Sequence, residues 1–439
     1  MTVNSPANID ITAALAEAEE AYRASNPKSL ARHLDACAVM PGGNTRSAIH
    51  VDPFPLTIVR GEGARLWDLD GHEYVDFLSE FTAGIYGHSH PAIRGAIEAA
   101  LDGGLNFGAH NALEARFAAA ICARFPSIEL VRFTNSGTEA NLMAVSAARA
   151  ITGRPKILVF AGGYHGGVFY FRGHGSALNA PFDYLLGPYN DLSGAEELVR
   201  PHRAELAAIL VEPMQGTTGC IPAERAFLAG LRALADETGA LLIFDEVMTS
   251  RLAPGGLQEA HGILPDLTTL GKYVGGGMSF GAFGGRADVM ERFDPRRPDA
   301  LQHAGTFNNN VLTMSAGLTG LTELYTPERA RALNDFGDRL RQGLNGIARR
   351  HGLAMQFTGI GSMLSVHMTD QPVRSQEDAE RGNGALRDLF WFDLTARGIW
   401  FAKRGMFALS IALDEDDGEK LADAVEEFAQ TRAPLFAAL

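Results

Sequence analysis

The chain has 439 residues, enough for two or three domains around a large core and far above the size at which disulfides or a structural metal become necessary. Its formal net charge is −14 with 21% charged residues, which argues against a nucleic-acid surface, because neutralising phosphates takes clustered Lys and Arg. Three scattered cysteines, Cys37, Cys122 and Cys220, carry neither metal-ligand spacing nor a disulfide framework and read as reduced core thiols.

The opening Met-Thr-Val-Asn-Ser-Pro (1–6) lacks the basic patch and apolar stretch of a secretory signal, and no uninterrupted apolar segment reaches bilayer length. A cytoplasmic enzyme with no membrane partner is the expectation. Residues 11–23 intersperse alanines and leucine with Glu17, Glu19 and Glu20, which predicts an amphipathic surface helix. Residues 56–60, 64–68 and 74–77 read as small antiparallel strands, with a hairpin turn at Asp70-Gly71. Short apolar runs then recur at 131–133, 157–160, 207–211 and 241–244, at intervals that leave room for helices, the pattern of a parallel α/β sheet.

Each run gives way at once to polar or glycine-rich residues: Thr-Asn-Ser-Gly-Thr, Ala-Gly-Gly-Tyr-His-Gly-Gly, Glu-Pro-Met-Gln-Gly and Asp-Glu-Val-Met-Thr. Ligands of open parallel sheets sit at the carboxyl ends of strands, so four such ends point to one shared crevice. Beyond 327 the pattern changes to a charged helix (328–349), a strand (363–368), an exposed loop (370–384), a helix (387–396) and two strands (399–401, 407–411). The expected architecture is α/β. A large domain over 79–326 carries a mainly parallel sheet flanked by helices, and a smaller α+β domain joins the segments 1–78 and 327–439.

Lys272 lies in Thr-Thr-Leu-Gly-Lys-Tyr-Val-Gly-Gly-Gly-Met (268–278), where a lysine between an apolar run and a glycine cluster can condense with a cofactor aldehyde. Asp245 closes Leu-Leu-Ile-Phe; a carboxylate at that strand terminus is costly to bury unless it faces a cation such as a protonated pyridine nitrogen. Together they suggest a chain built to hold pyridoxal phosphate. Ser136, Gly137 and Thr138 open a helix whose backbone N–H groups and dipole suit a phosphate, although an ordinary N-cap explains the segment as well. Tyr164, between two glycine pairs (162–167), can stack on a flat ring or fill the core, with His165 beside it as a hydrogen-bond partner. Glu212 ends the neighbouring strand, as a second acid near the site or as a capping carboxylate. His88 and His90 do not suit zinc, since neither carboxylate nor cysteine stands at ligand spacing, and no metal is expected.

The set Asn-Ser-Gly-Thr-Glu-Ala (135–140), Gly-Tyr-His-Gly (163–166), Val-Glu-Pro (211–213), Asp-Glu-Val-Met-Thr (245–249) and Leu-Gly-Lys (270–272) resembles the class III aminotransferases, which are fold-type I PLP-dependent transferases. The resemblance implies a homodimer with active sites at the subunit interface, Val247 against the cofactor, and Gly305-Thr306 reaching the partner subunit's phosphate. Two branches look alike here, glutamate-1-semialdehyde aminomutases and aromatic β-amino-acid (β-phenylalanine) aminotransferases. Met-Pro-Gly-Gly-Asn-Thr-Arg-Ser (40–47), the stretch 271–285 and Gly-Thr-Phe-Asn-Asn-Asn (305–310) look most like the second, and the Ser-Gly-Asn-Pro that usually follows Gly-Thr-Leu in the aminomutases is not found. Resemblance further implies that Arg46 binds a substrate carboxylate and that Arg404 receives the α-carboxylate of a keto acid acceptor, 2-oxoglutarate or pyruvate, with Phe81 and Tyr86 as pocket or core residues. An ω-amine transaminase and a catalytically idle cofactor-binding module are the alternatives outside these branches.

Overall fold

The structure is a computed structural model that describes residues 10–438, so the N-terminal hexapeptide lies outside the described residues. Near the start, β1 (Ile58–Glu62), β2 (Arg65–Asp68) and β3 (Glu73–Asp76) form an antiparallel meander. Its second turn is tied by Asp68 Oδ1, which accepts from Gly71 N at 2.7 Å and His72 N at 2.8 Å. There follow β4 (Leu130–Thr134), β5 (Lys156–Phe160), β6 (Asp183–Gly187) and β7 (Leu206–Val211), then the two-residue pair β8 (Met214–Gln215) and β9 (Ile221–Pro222). Next come β10 (Leu241–Asp245), β11 (Leu267–Gly271), β12 (Gly281–Gly285), β13 (Gln356–Ile360), β14 (Met363–His367), β15 (Ile399–Trp400) and β16 (Met406–Ala408).

The main sheet has seven strands in the order β4-β12-β11-β10-β7-β5-β6. Its β6, β5, β7, β10 and β11 pair in parallel, whereas β12 is antiparallel to both of its neighbours. Side chains alternate across a strand, and the two faces separate accordingly. Leu158, Phe160, Ile209, Val211, Leu242 and Phe244 pack with the helix Arg225–Thr238 through Phe227, Leu228 and Leu231. Ile157, Val159, Ala208, Leu210, Leu241 and Ile243 pack with the helix Gly137–Thr152 through Ala140, Ala144 and Val145. Each such leucine, isoleucine or phenylalanine contributes roughly 1.5–3 kcal/mol by leaving water. The apolar runs are continuous because both faces of the sheet are covered.

The sequence expectations need four corrections. Strands β6, β8, β9, β11, β12 and β13 are additions to the expected set, and several expected boundaries move by one to three residues. The segment 370–384 is not merely a loop: it contains the helix Gln376–Glu380, and buried Gln376 accepts through Oε1 from Gly173 N at 3.1 Å. Of the three cysteines, all free, only Cys220 is buried; Cys37 is exposed. His88 does meet a carboxylate, Asp76, with Nε2 2.8 Å from Oδ2, because folding joins residues the spacing kept apart. Among the described residues, no group of His, Cys, Asp and Glu is arranged to hold a metal ion, and no helix is long and apolar enough to cross a membrane.

The helix Ile11–Ser25 does form, and it is amphipathic as the spacing predicts. It buries Ala14 and Tyr22, with Tyr22 OH donating to Phe54 O at 2.8 Å and its ring beside Trp391 and Phe392. Residues from both ends of the chain also share one sheet, since β15 adds in parallel to β3 in the order β1-β2-β3-β15. A separate three-stranded sheet, β13-β14-β16, comes wholly from the C-terminal part.

Candidate active site

Five strand ends on one edge of the main sheet carry the candidate residues. Ser136 follows β4, Tyr164 follows β5, Glu212 follows β7, Asp245 ends β10 and Lys272 follows β11. Parallel pairing sets Asp245 opposite Thr269 in β11, so the carboxylate and the lysine emerge on neighbouring strands.

Asp245 is buried and fixed by three donors. Its Oδ2 accepts from Asn141 Nδ2 at 2.8 Å and lies 2.8 Å from His165 Nδ1, while Oδ1 accepts from Val247 N at 3.0 Å. Asn141 is itself held, since Nδ2 also donates to His165 O at 3.1 Å and Oδ1 accepts from Thr269 Oγ1 at 2.7 Å. Sequence reasoning named His165 but missed Asn141 and Thr269. The available signal was a polar Asn141 on the alanine-rich buried face of the helix.

Lys272 is half-buried and adopts φ 53°, a left-handed conformation that a residue with a Cβ holds only when its surroundings impose it. Burial pushes its ε-amine below the usual lysine range; Asp245 and Glu212 pull it back up, and Arg404 and Arg46 push it further down. The amine thus feels both carboxylates, yet it forms no ion pair with either among the described residues. Glu212, buried, accepts from Tyr164 N at 3.3 Å through Oε1, and its Oε2 has no partner. Burial, then the Asp245 charge, raise its carboxyl well above the ordinary range. Tyr164 is half-buried, with its ring 6.0 Å edge-on from Tyr170, and its phenol is pushed up by burial and then by the Asp245 and Glu212 charges.

At the helix start, Ser136 Oγ accepts from Glu139 N at 3.1 Å, so Ser136 acts as the N-cap of its own helix. Thr138 Oγ1 accepts from Gly167 N at 3.2 Å, which joins this helix to the loop carrying Tyr164. Val247 is buried against Gly137.

Arg46 and Arg404 lie far apart in sequence but stand over one ring, at 5.8 and 4.8 Å from the Phe81 centroid. Phe81 is held there by a turn in which Ser79, Glu80, Phe81 and Thr82 all have positive φ. Nothing in the sequence signals this turn, since it lacks the glycine or asparagine that usually marks such backbone. Arg46 is exposed, and its Nη2 lies 2.5 Å from Glu80 Oε1, a carboxylate already seated on the guanidinium. Burial, and next the Arg172 charge, bring Arg404 down to about 10. Tyr86 is a core residue: it donates to Tyr273 O at 3.0 Å and is buried.

Thr306 stands apart from this cluster, exposed on a separate cavity of about 1020 Å³ lined by residues of 106–118, 131–133 and 303–311. Asn135 Nδ2 donates to Asn308 Oδ1 at 2.9 Å, tying that wall to the helix start beside Ser136.

The profile of the aminotransferase class-III family matches residues 47–414. The chain belongs to the class III aminotransferases. A β-phenylalanine transaminase of Variovorax paradoxus is 54% identical over 418 residues, covering 95% of this chain and 96% of the relative. The solved structure of a β-phenylalanine aminotransferase from that organism matches with a TM-score of 0.95 at 54% identity, covering 96% of this chain and 98% of that one. A glutamate-1-semialdehyde 2,1-aminomutase of Sorangium cellulosum (strain So ce56) is 41% identical over 421 residues, 91% of this chain and 96% of its own. A solved transaminase with PLP bound has a TM-score of 0.86 at 34% identity, covering 94% of this chain and 98% of that one.

The residues of this class III aminotransferase fit that cofactor. A triply anchored carboxylate suits a ring N–H, an amine depressed by burial suits an aldehyde, and the buried Glu212 Oε2 is left without a partner.

Proposed function

We propose that this enzyme binds pyridoxal phosphate and moves the amino group of a β-amino acid, β-phenylalanine-like, to 2-oxoglutarate or pyruvate. The observation that carries this reading is the pair of guanidinium groups, Arg46 and Arg404, flanking Phe81 and acting together on the Lys272 amine. One cation suits the donor carboxylate, the other the acceptor α-carboxylate, and the ring beneath both suits an aromatic side chain. Identity of 54% to a β-phenylalanine transaminase along nearly the whole chain supports the choice of donor.

When bound, the cofactor supplies an electron sink for charge developing at the amine-bearing carbon. Lys272 Nζ would hold its aldehyde and, once displaced by the substrate amine, take the proton from that carbon and return it on the other side of the exchange. Burial lowers its pKa, which favours the neutral amine able to accept that proton. Asp245, oriented by Asn141, His165 and Val247 N, would keep the ring nitrogen protonated. Tyr164 would lie against the ring face, with Val247 beside it. The amides of Gly137 and Thr138 and the helix capped by Ser136 would receive the phosphate. Arg46 exchanges Glu80 for the donor carboxylate, both side chains being exposed.

A homodimer is part of the proposal, with Thr306 completing the partner subunit's phosphate site. A cytoplasmic setting is also proposed, in keeping with three free cysteines.

A donor panel read by cofactor absorbance tests this. β-Phenylalanine alone should convert the cofactor, and Arg46→Ala should raise its KM by roughly 10–100-fold, the loss of one charge-assisted contact, while an amine without a carboxylate is unaffected. Conversion by glutamate semialdehyde but not by β-phenylalanine would make the enzyme an aminomutase instead.

A further inference from the structure

A cavity of about 360 Å³ shares one residue, Arg404, with the chemistry above, and its other lining residues take no part in it. It lies between residues 217–219, 365–368 and 376–387, with Arg172, Arg404 and Met406 completing its wall. It meets solvent at Glu380 and Gly384, which are exposed, and Arg404, whose charge reaches Lys272, links it to the crevice.

Its lining is unbalanced in charge. Three guanidinium groups, Arg172, Arg387 and Arg404, face one carboxylate, Glu380, which already accepts from Gln376 Nε2 at 2.6 Å. Arg387 comes no closer than 3.9 Å to Asp388. His367 adds no cation: burial holds it below the ordinary histidine range, and its Nε2 lies 3.0 Å from both Gly219 O and Thr358 Oγ1. Several donors are left over. The Nε atoms of Arg172, Arg387 and Arg404 are buried without a partner, as is the Oγ of Ser365, a residue 1% exposed. Desolvated donors with no acceptor, under excess positive charge, make a receptor for oxygen anions.

We propose that this chamber is an accessory oxyanion site, taking a small carboxylate or phosphate between Arg172, Arg387 and Ser365, and that its occupancy weakens carboxylate capture at Arg404. An anion behind Arg404 lowers the positive potential that Arg404 presents to the crevice. By linkage, a keto acid bound at Arg404 weakens the anion in turn. The effect on turnover rests on Arg404 receiving the acceptor carboxylate, whereas the binding of an anion depends neither on that nor on which amino donor the enzyme uses.

Calorimetric titration of the holoenzyme separates the possibilities. The probes are succinate, which has no amino or keto group to react, and inorganic phosphate. At least one should bind; Arg172→Gln and Arg387→Gln should each weaken it about tenfold, and Arg46→Gln should leave it unchanged. The tighter probe identifies the source as an organic acid or phosphate. Without probe, Arg387→Gln should turn over like wild type. With it, the acceptor KM should rise several-fold in wild type and stay constant in Arg387→Gln. Binding of neither probe, binding lost with Arg46 and kept without Arg387, or an acceptor KM indifferent to a bound probe would each overturn the proposal.

Discussion

Glu212 is the acid of the site whose protonation sets a measurable signature. The folded protein holds its proton more tightly than the unfolded chain does, so it costs stability as pH climbs from the ordinary carboxylate range through its raised pKa. Glu212→Gln keeps the acceptor for Tyr164 N and removes that loss. Its melting temperature should match wild type near pH 4.5 and exceed it by about 1–3 °C at pH 8, read by scanning calorimetry of the holoenzyme. A constant difference across pH would mean that folding leaves the Glu212 pKa where it stands in the unfolded chain. Lys272 and Asp245 could be picked out before folding, because each directly follows or ends an apolar run and a charge there needs a partner. Asn141 could be marked only as a polar residue on a buried helix face, its partner being 104 residues away, and Arg172 could not be marked at all, since it lines a cavity that folding creates.

At the scale of elements, the glycines hold the site together by close approach. Strand β12 reads Gly-Ala-Phe-Gly-Gly, a poor strand former by propensity, and was missed for that reason. A Cβ at Gly281 would stand 2.1 Å from Ser136 O, so only a bare backbone lets this strand lie beside the start of the helix that Ser136 caps. Gly166, at φ +115°, makes the same bargain from the other side: a Cβ there would stand 2.2 Å from Thr138 Oγ1 and 2.6 Å from Thr138 Cα. Overpacking of this kind costs about 1–3 kcal/mol, so Gly166→Ala should weaken cofactor retention by roughly 10-fold or more, measured as absorbance remaining after dialysis. Unchanged retention would show that Thr138 does not help to hold the phosphate.

For the whole molecule, long-range ties and the outer surface matter most. Arg251 is fully buried; its Nε donates to Ser362 Oγ at 3.1 Å and its Nη2 to Leu409 O, while its carbonyl accepts from Tyr325 OH at 2.6 Å and Asn334 Nδ2 at 2.9 Å. One residue five positions after Glu246 thereby joins the sheet edge to the C-terminal segments. On the outside, Phe107 and Phe307 are 53% and 57% exposed beside the 1020 Å³ cavity that includes Thr306. Apolar rings left bare around such a recess fit a second copy of the chain. Sedimentation should give a dimer, and Phe307→Asp should yield monomer with a loss of bound cofactor. A wild-type monomer that retains full activity would remove Thr306 from the site.

Short-range patterning alone determined the alternating helices and strands, the crevice at the strand ends, and the lysine, aspartate and tyrosine that mark it, because two-fold and helical periodicity and the cost of a charge at a strand end are local properties. Tertiary structure alone decided that Asn141 anchors Asp245, that a strained turn brings Phe81 to both Arg46 and Arg404, and that three arginines converge on a second chamber. Those relations join residues tens to hundreds of positions apart, and only packing sets the distances between them.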